Sequence, residues 1–147
     1  MTRLVIIGGS DAGITAGLRA RQLDPTTEVH LVVADDYPNF SICGIPYYVS
    51  GEVPDWHSMA HRSKNDLERA GLRLHLEERA IGIDVDARTV STVSAAGEAR
   101  AIGYDRLIIA TGQCPTSRRS PGSTNSVQAT GCICSTPWRH VCSDPDA

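Results

Sequence analysis

Val5-Ile6-Ile7-Gly8-Gly9-Ser10-Asp11-Ala12-Gly13 sets an apolar, β-branched run directly against a glycine turn. Leu4 to Ile7 is apolar without alternation, the pattern of a strand buried on both faces of a parallel sheet. Ala12 to Leu23 then shows helical spacing, with Ile14 and Leu18 on the apolar face, Arg21 and Gln22 on the polar one, and Asp24-Pro25 as the stop. Glu28 to Val33 reads as a second strand. Strand, glycine turn, helix and strand within about thirty residues make a βαβ unit, whose crossover is expected to be right-handed.

The turn Gly8-Gly9-Ser10-Asp11-Ala12-Gly13 matches G-x-G-x-x-G at its first and third glycines, Gly8 and Gly13, with Ser10 at the middle position. The first glycine serves a tight turn, the middle position close backbone approach to a pyrophosphate, and the third close packing of helix on strand. The helix N-terminus adds N–H donors for the phosphates. Because the turn follows a strand and opens a helix, residues Gly8, Gly9, Ser10, Asp11, Ala12 and Gly13 are read as a dinucleotide-binding turn. The fingerprint also asks for an acid at the end of the second strand to bond a ribose hydroxyl. That strand end reads Val33-Ala34-Asp35-Asp36, and Asp35 has the better spacing.

A length of 147 residues fits one domain, and 41% hydrophobic with 21% charged residues is ordinary for a globular chain. A net charge of −3 argues against nucleic acid or an anionic membrane as partner. The apolar run at the start is too short for a signal peptide and no stretch is long enough to span a bilayer, so a cytoplasmic protein is expected. The odd count of five cysteines argues against a disulfide framework.

One cysteine stands apart, in Asn39-Phe40-Ser41-Ile42-Cys43-Gly44-Ile45-Pro46-Tyr47-Tyr48. This places Cys43 between a loop and an expected helix start, where unpaired N–H groups and the helix dipole favour thiolate. Further on, Ser63 is an expected N-cap for a helix over Lys64 to Ala70, with Ser63-x-x-Asp66 as a capping box and Gly71 as the end. Leu72 to Leu76, Ile81 to Val85, Thr89 to Val93 and Arg106 to Ala110 read as strands, with a hairpin turn at Ala95-Ala96-Gly97-Glu98. The expected fold is α/β: a parallel sheet core carrying a small antiparallel β insertion. His30, His57, His61 and His75 form no metal-like cluster and are read structurally.

Three segments together resemble the flavoprotein pyridine nucleotide-disulfide oxidoreductases, in the single-cysteine branch of coenzyme A-disulfide reductase, NADH oxidase and NADH peroxidase. They are Val5 to Gly13, Asn39 to Tyr48, and Tyr104-Asp105-Arg106-Leu107-Ile108-Ile109-Ala110-Thr111-Gly112. The resemblance spans residues 3 to 112 and covers the N-terminal FAD-binding part only. It implies a truncated Rossmann-like FAD/NAD(P)-binding domain whose first βαβ unit holds FAD, with Ala110, Thr111 and Gly112 closing over the same cofactor. It implies Cys43 as the redox cysteine, receiving electrons from NAD(P)H through FAD. The sulfur would form a mixed disulfide with coenzyme A, or a sulfenic acid with peroxide or oxygen. Contacts to coenzyme A would come from Arg19, Gln22 and Asn39. Asn39 stands where the family motif has serine, and Val33 where it has the ribose-binding acid, which leaves Asp35 or Asp36 as substitute. Full-length relatives are homodimers. The alternative is a truncated nucleotide-binding module without turnover.

On this reading the FAD-binding part occupies residues 1–112. Residues 113–147 form an irregular tail with no periodicity, expected to be disordered. Cys132, Cys134, His140 and Cys142 offer a zinc site as a weaker reading of that tail. A reading-frame shift near residue 114 is the stronger one, because shifted GC-rich codons for Thr116 to Trp138 can encode a string like the family's continuation.

Overall fold

The computed structural model describes residues 1–112, and expectations for Gln113 to Ala147, including the tail, its zinc ligands and the frame shift, lie outside the described residues. Four strands form a parallel sheet: β1 (Arg3–Ile7), β2 (Glu28–Val32), β3 (Leu72–His75) and β7 (Arg106–Ile109), in the order β3-β2-β1-β7. Helix α1 (Asp11–Leu23) joins β1 to β2. A five-residue helix α2 (Ile45–Val49) and α3 (Lys64–Arg69) lie between β2 and β3. Three antiparallel strands, β4 (Glu78–Asp84), β5 (Thr89–Ser94) and β6 (Ala99–Gly103), precede β7 as a separate sheet.

The unbroken apolar run does what a two-faced strand requires. Val5 and Ile6 are fully buried on opposite sides of β1. Leu4, Ile6, Val29 and Leu31 pack with Ile14 of α1 and Leu67 of α3 on the helical side. Val5, Ile7 and Val32 pack with Ala80 and Val90 of the antiparallel sheet on the other. Fully burying each such side chain contributes about 1.5–3 kcal/mol. The capping box at α3 forms as expected: the Asp66 N–H donates to Ser63 Oγ at 3.2 Å and the Ser63 N–H to Asp66 Oδ2 at 3.0 Å.

Two sequence expectations need correction. The second sheet has a strand, β6, with no counterpart in the sequence reading. Ala-Arg-Ala-Ile-Gly carries little β preference of its own, and pairing with β5 makes it a strand. Strand β4 begins at Glu78, three residues before the expected Ile81, and its inward residues are Glu78 and Ala80. Ile81, Ile83 and Val85 are exposed, and the register shifts between Ala80 and Gly82. Cys43 lies directly ahead of a helix start, as expected, in a 3₁₀ turn (Ile42–Gly44) that precedes the five-residue α2. The turn is pinned by the Ser41 N–H donating to the Met59 carbonyl and the Gly44 N–H to that of Ser41.

Candidate functional site

Strand β1 is the point where the strand order of the parallel sheet reverses: β2 and β3 lie to one side of it and β7 to the other. In open parallel sheets the crevice at the carboxyl ends of strands beside such a switch is the usual ligand site. Here it holds a cavity of about 340 Å³. Ile7 and Val32 form part of its apolar wall, the glycine turn one side, and Tyr37, Pro38 and Phe40 another.

The turn is shaped by what its backbone touches. Gly8 has φ +102°, in the left-handed region, and a side chain there would overlap the Ala110 carbonyl. A methyl group on Gly9 would overlap the carbonyl oxygen of Pro38, so the loop after β2 closes directly onto the turn. Ser10, which replaces the middle glycine of the fingerprint, is the N-cap of α1. Its backbone is extended (φ −66°, ψ 156°) and its Oγ accepts the Gly13 N–H at 3.3 Å. The hydroxyl therefore takes one of the orphan donors of the helix, and the N–H groups of Asp11 and Ala12 remain for an anion at the helix start.

Of the ten residues assigned to cofactor binding, nine line this one cavity: Gly8, Gly9, Ser10, Asp11, Ala12, Asp35, Ala110, Thr111 and Gly112. Gly13 does not line it. A Cβ there would stand 2.7 Å from that of Ala110, so its role is close packing of α1 against the end of β7. Asp36 is exposed, and Asp35 lies on the cavity wall. The Ala110 N–H donates to the Ile7 carbonyl at 2.7 Å, which ties the Ala-Thr-Gly segment to the end of β1.

The residues assigned to a substrate divide. Asn39 is buried, lines the cavity, and donates through Nδ2 to the Gly9 carbonyl at 2.8 Å and to Asp11 Oδ1 at 3.1 Å. It also borders a second, polar hollow with Asp11, Thr15, His61 and Arg62. Arg19 and Gln22 lie on the exposed side of α1, bonded to each other at 3.3 Å, and line neither space. Cys43 is exposed, has no disulfide partner among the described residues, and stands outside the residues lining the cavity.

Sequence reasoning missed Glu78, which lines the same cavity although only 5% of it is exposed. Thr92 donates its hydroxyl to Glu78 Oε1, and His75 Nδ1 lies 3.3 Å from Oε2. His75 Nε2 is in turn 2.9 Å from His30 Nδ1. Burial, and secondarily the neighbouring His75, pull the His30 imidazole down to about 4. The carboxylate beside two histidines 45 residues apart in sequence gave no linear signal. Among the described residues no group of three metal-ligating side chains forms, and no helix is long and apolar enough to cross a membrane.

Comparison with known proteins places these features in a family. The profile of the pyridine nucleotide-disulphide oxidoreductases matches residues 2–136. An NAD(P)H sulfur oxidoreductase (CoA-dependent) of Pyrococcus abyssi is 33% identical over 112 residues, covering 76% of this chain and 24% of the relative. An NADH oxidase of Enterococcus faecalis is 28% identical over 121 residues, covering 82% and 27%. The solved structure of an NAD-dependent persulfide reductase from A. fulgidus superposes with a TM-score of 0.68 at 30% identity, covering 73% of this chain and 20% of that one. The chain thus spans about a quarter of the length of the curated relatives it matches.

Proposed function

The chain belongs to the pyridine nucleotide-disulphide oxidoreductase family, and from that premise we propose that it is the FAD-binding part of an NAD(P)H oxidoreductase acting on a small disulfide, persulfide, peroxide or oxygen. The observation that carries this reading is the cavity at the ends of β1, β2 and β7, walled by the glycine turn and by Ala110, Thr111 and Gly112. The relatives named as CoA-dependent sulfur oxidoreductase and as NADH oxidase support the reaction class.

The residues fit the diphosphate and nucleoside of FAD. Side chains at Gly8 and Gly9 would close the turn that brings backbone to the ligand. Among the described residues no lysine or arginine lines the cavity, so a diphosphate would be held by the N–H groups and dipole of α1, a 13-residue helix. Asp35 would accept from a ribose hydroxyl. Asn39 would hold the loop after β2 against the turn through its two hydrogen bonds. A bound flavin supplies two-electron transfer between a nicotinamide donor and sulfur. The exposed thiol of Cys43 would be the group that joins to and leaves the sulfur or peroxide substrate, and Arg19, Gln22 and Asn39 would contact a phosphate-bearing thiol.

A second reading, a nucleotide-binding module without turnover, is favoured by one specific observation: Cys43 stands outside the residues lining the cavity. The visible spectrum of the purified chain separates the two when NADH is added without oxygen. Bleaching of a bound flavin supports the oxidoreductase, a bound flavin that does not bleach supports the module, and a chain that takes up no flavin overturns both.

A further inference from the structure

We propose that Glu78 is a specificity-determining residue of the cavity, a fixed buried acceptor that reads a hydrogen-bond donor on the nucleoside end of the ligand. This inference rests on the dinucleotide reading of the cavity and names a residue that the fingerprint does not contain. Glu78 lines the cavity next to Ala80, and the same wall carries Asp35. The two acids are brought together by backbone pairing: the Glu77 N–H donates to the Asp35 carbonyl and the Glu78 N–H to that of Val33.

The carboxylate is held from behind. Thr92, fully buried on β5, donates to Oε1. His75 on β3 stands at Oε2, and His30 on β2 backs His75. Beyond these lie Arg3 on β1, Glu28 on β2 and Arg73 on β3, joined in a surface network with Glu28 between the two arginines. With Glu78 as carboxylate, His75 presents Nδ1–H to it, and Nε2 accepts the His30 Nδ1–H. His30 Nε2 is then a buried nitrogen with no partner among the described residues.

An apolar filling would suit the space between two sheets better. Buried charge with incomplete pairing is weak at stabilising a fold, and rule-breaking of this kind concentrates at functional sites. Two partners do not exhaust a carboxylate, which offers about four acceptor positions and no donor. Those left over can take only N–H or O–H groups. On the nucleoside end of a dinucleotide such donors are the exocyclic amine of adenine and the ribose hydroxyls. Thr92, His75 and His30 are positioning residues on this view, since they act through Glu78.

The test uses the full chain and three ligands that displace bound FAD: ADP, IDP and 2′-deoxy-ADP. The wild-type chain is expected to prefer ADP by about tenfold or more over the analogue lacking the donor that Glu78 reads. A preference over IDP that the Glu78 variant loses identifies the amine as the source, a preference over 2′-deoxy-ADP that it loses identifies the ribose, and a ribose preference that survives in the variant belongs to Asp35. Glu78→Leu, which removes both acceptor oxygens, is expected to lose that preference, while His75→Gln keeps the acceptor in place with a smaller preference. Equal affinities for all three ligands in the wild-type chain overturn the inference without any variant. So does a Glu78→Leu chain that folds and discriminates as before. A wild-type chain that binds FAD but shows no discrimination leaves the dinucleotide reading intact, whereas one that binds no dinucleotide overturns both.

Discussion

Acid destabilises this fold through His30, and the size of the effect follows from its burial. His30 is 8% exposed, its Nε2 has no partner among the described residues, and burial lowers its pKa from 6.5 to about 4 in the folded chain. His75, Arg3 and Arg73 add to the lowering, and Glu28 opposes it. The neutral form is therefore the one the fold prefers. Between these two values the unfolded chain binds more protons than the folded chain, so stability falls as pH drops through the window. The contribution is full above pH 6.5, is lost progressively toward about 4, and declines no further below that. If felt in full, the shift corresponds to about 3 kcal/mol, and screening by solvent around the exposed arginines reduces this to about 2 kcal/mol. The assay is urea unfolding at about pH 7.5 and about pH 4.5 for the wild-type chain and for His30→Gln. Carboxylates titrate in both chains and cancel in the comparison. The wild-type chain is expected to lose about 2 kcal/mol more than the variant across the window. Equal losses would refute the reasoning, because they would mean that His30 accepts a proton in the fold as readily as in the unfolded chain.

Gly9→Val drives a side chain into the Pro38 carbonyl, and is expected to cost about 1–3 kcal/mol in chemical denaturation. The same variant should abolish retention of FAD on desalting. Ser63→Ala removes one half of the capping box of α3 and should cost about 1 kcal/mol, read from the urea midpoint. Arg19→Ala breaks only an exposed contact with Gln22, so stability should stay within about 0.5 kcal/mol while affinity for a phosphate-bearing thiol falls. Cys43→Ser should retain flavin and stability yet form no mixed disulfide with an added coenzyme A disulfide, as mass spectrometry of the intact chain would reveal.

The parts of the molecule legible in sequence were those fixed by local chemistry. Leu4 to Ile7, the glycine turn, the helix stop at Asp24-Pro25 and the Ser63 capping box each act within a few residues, and each appears at its expected place. The convergence of Asp35, Ala110, Thr111 and Gly112 on one cavity was legible only because the order of motifs matches a known family. Glu78 was hidden for a different reason. Its neighbours His30, His75 and Thr92 come from three other strands, and its own strand reads in reverse, with apolar Ile81 and Ile83 outside and the acid inside. Strand β6 was hidden because pairing with β5, and not its own composition, makes it a strand.

The central claim, that the cavity between the ends of β1, β2 and β7 holds FAD, is tested most directly by incubating the purified chain with FAD, desalting it, and recording the flavin absorbance per chain. The expected result is close to one flavin per wild-type chain and none for Gly9→Val. A wild-type chain that emerges colourless, or a Gly9→Val chain that keeps its flavin, would contradict it.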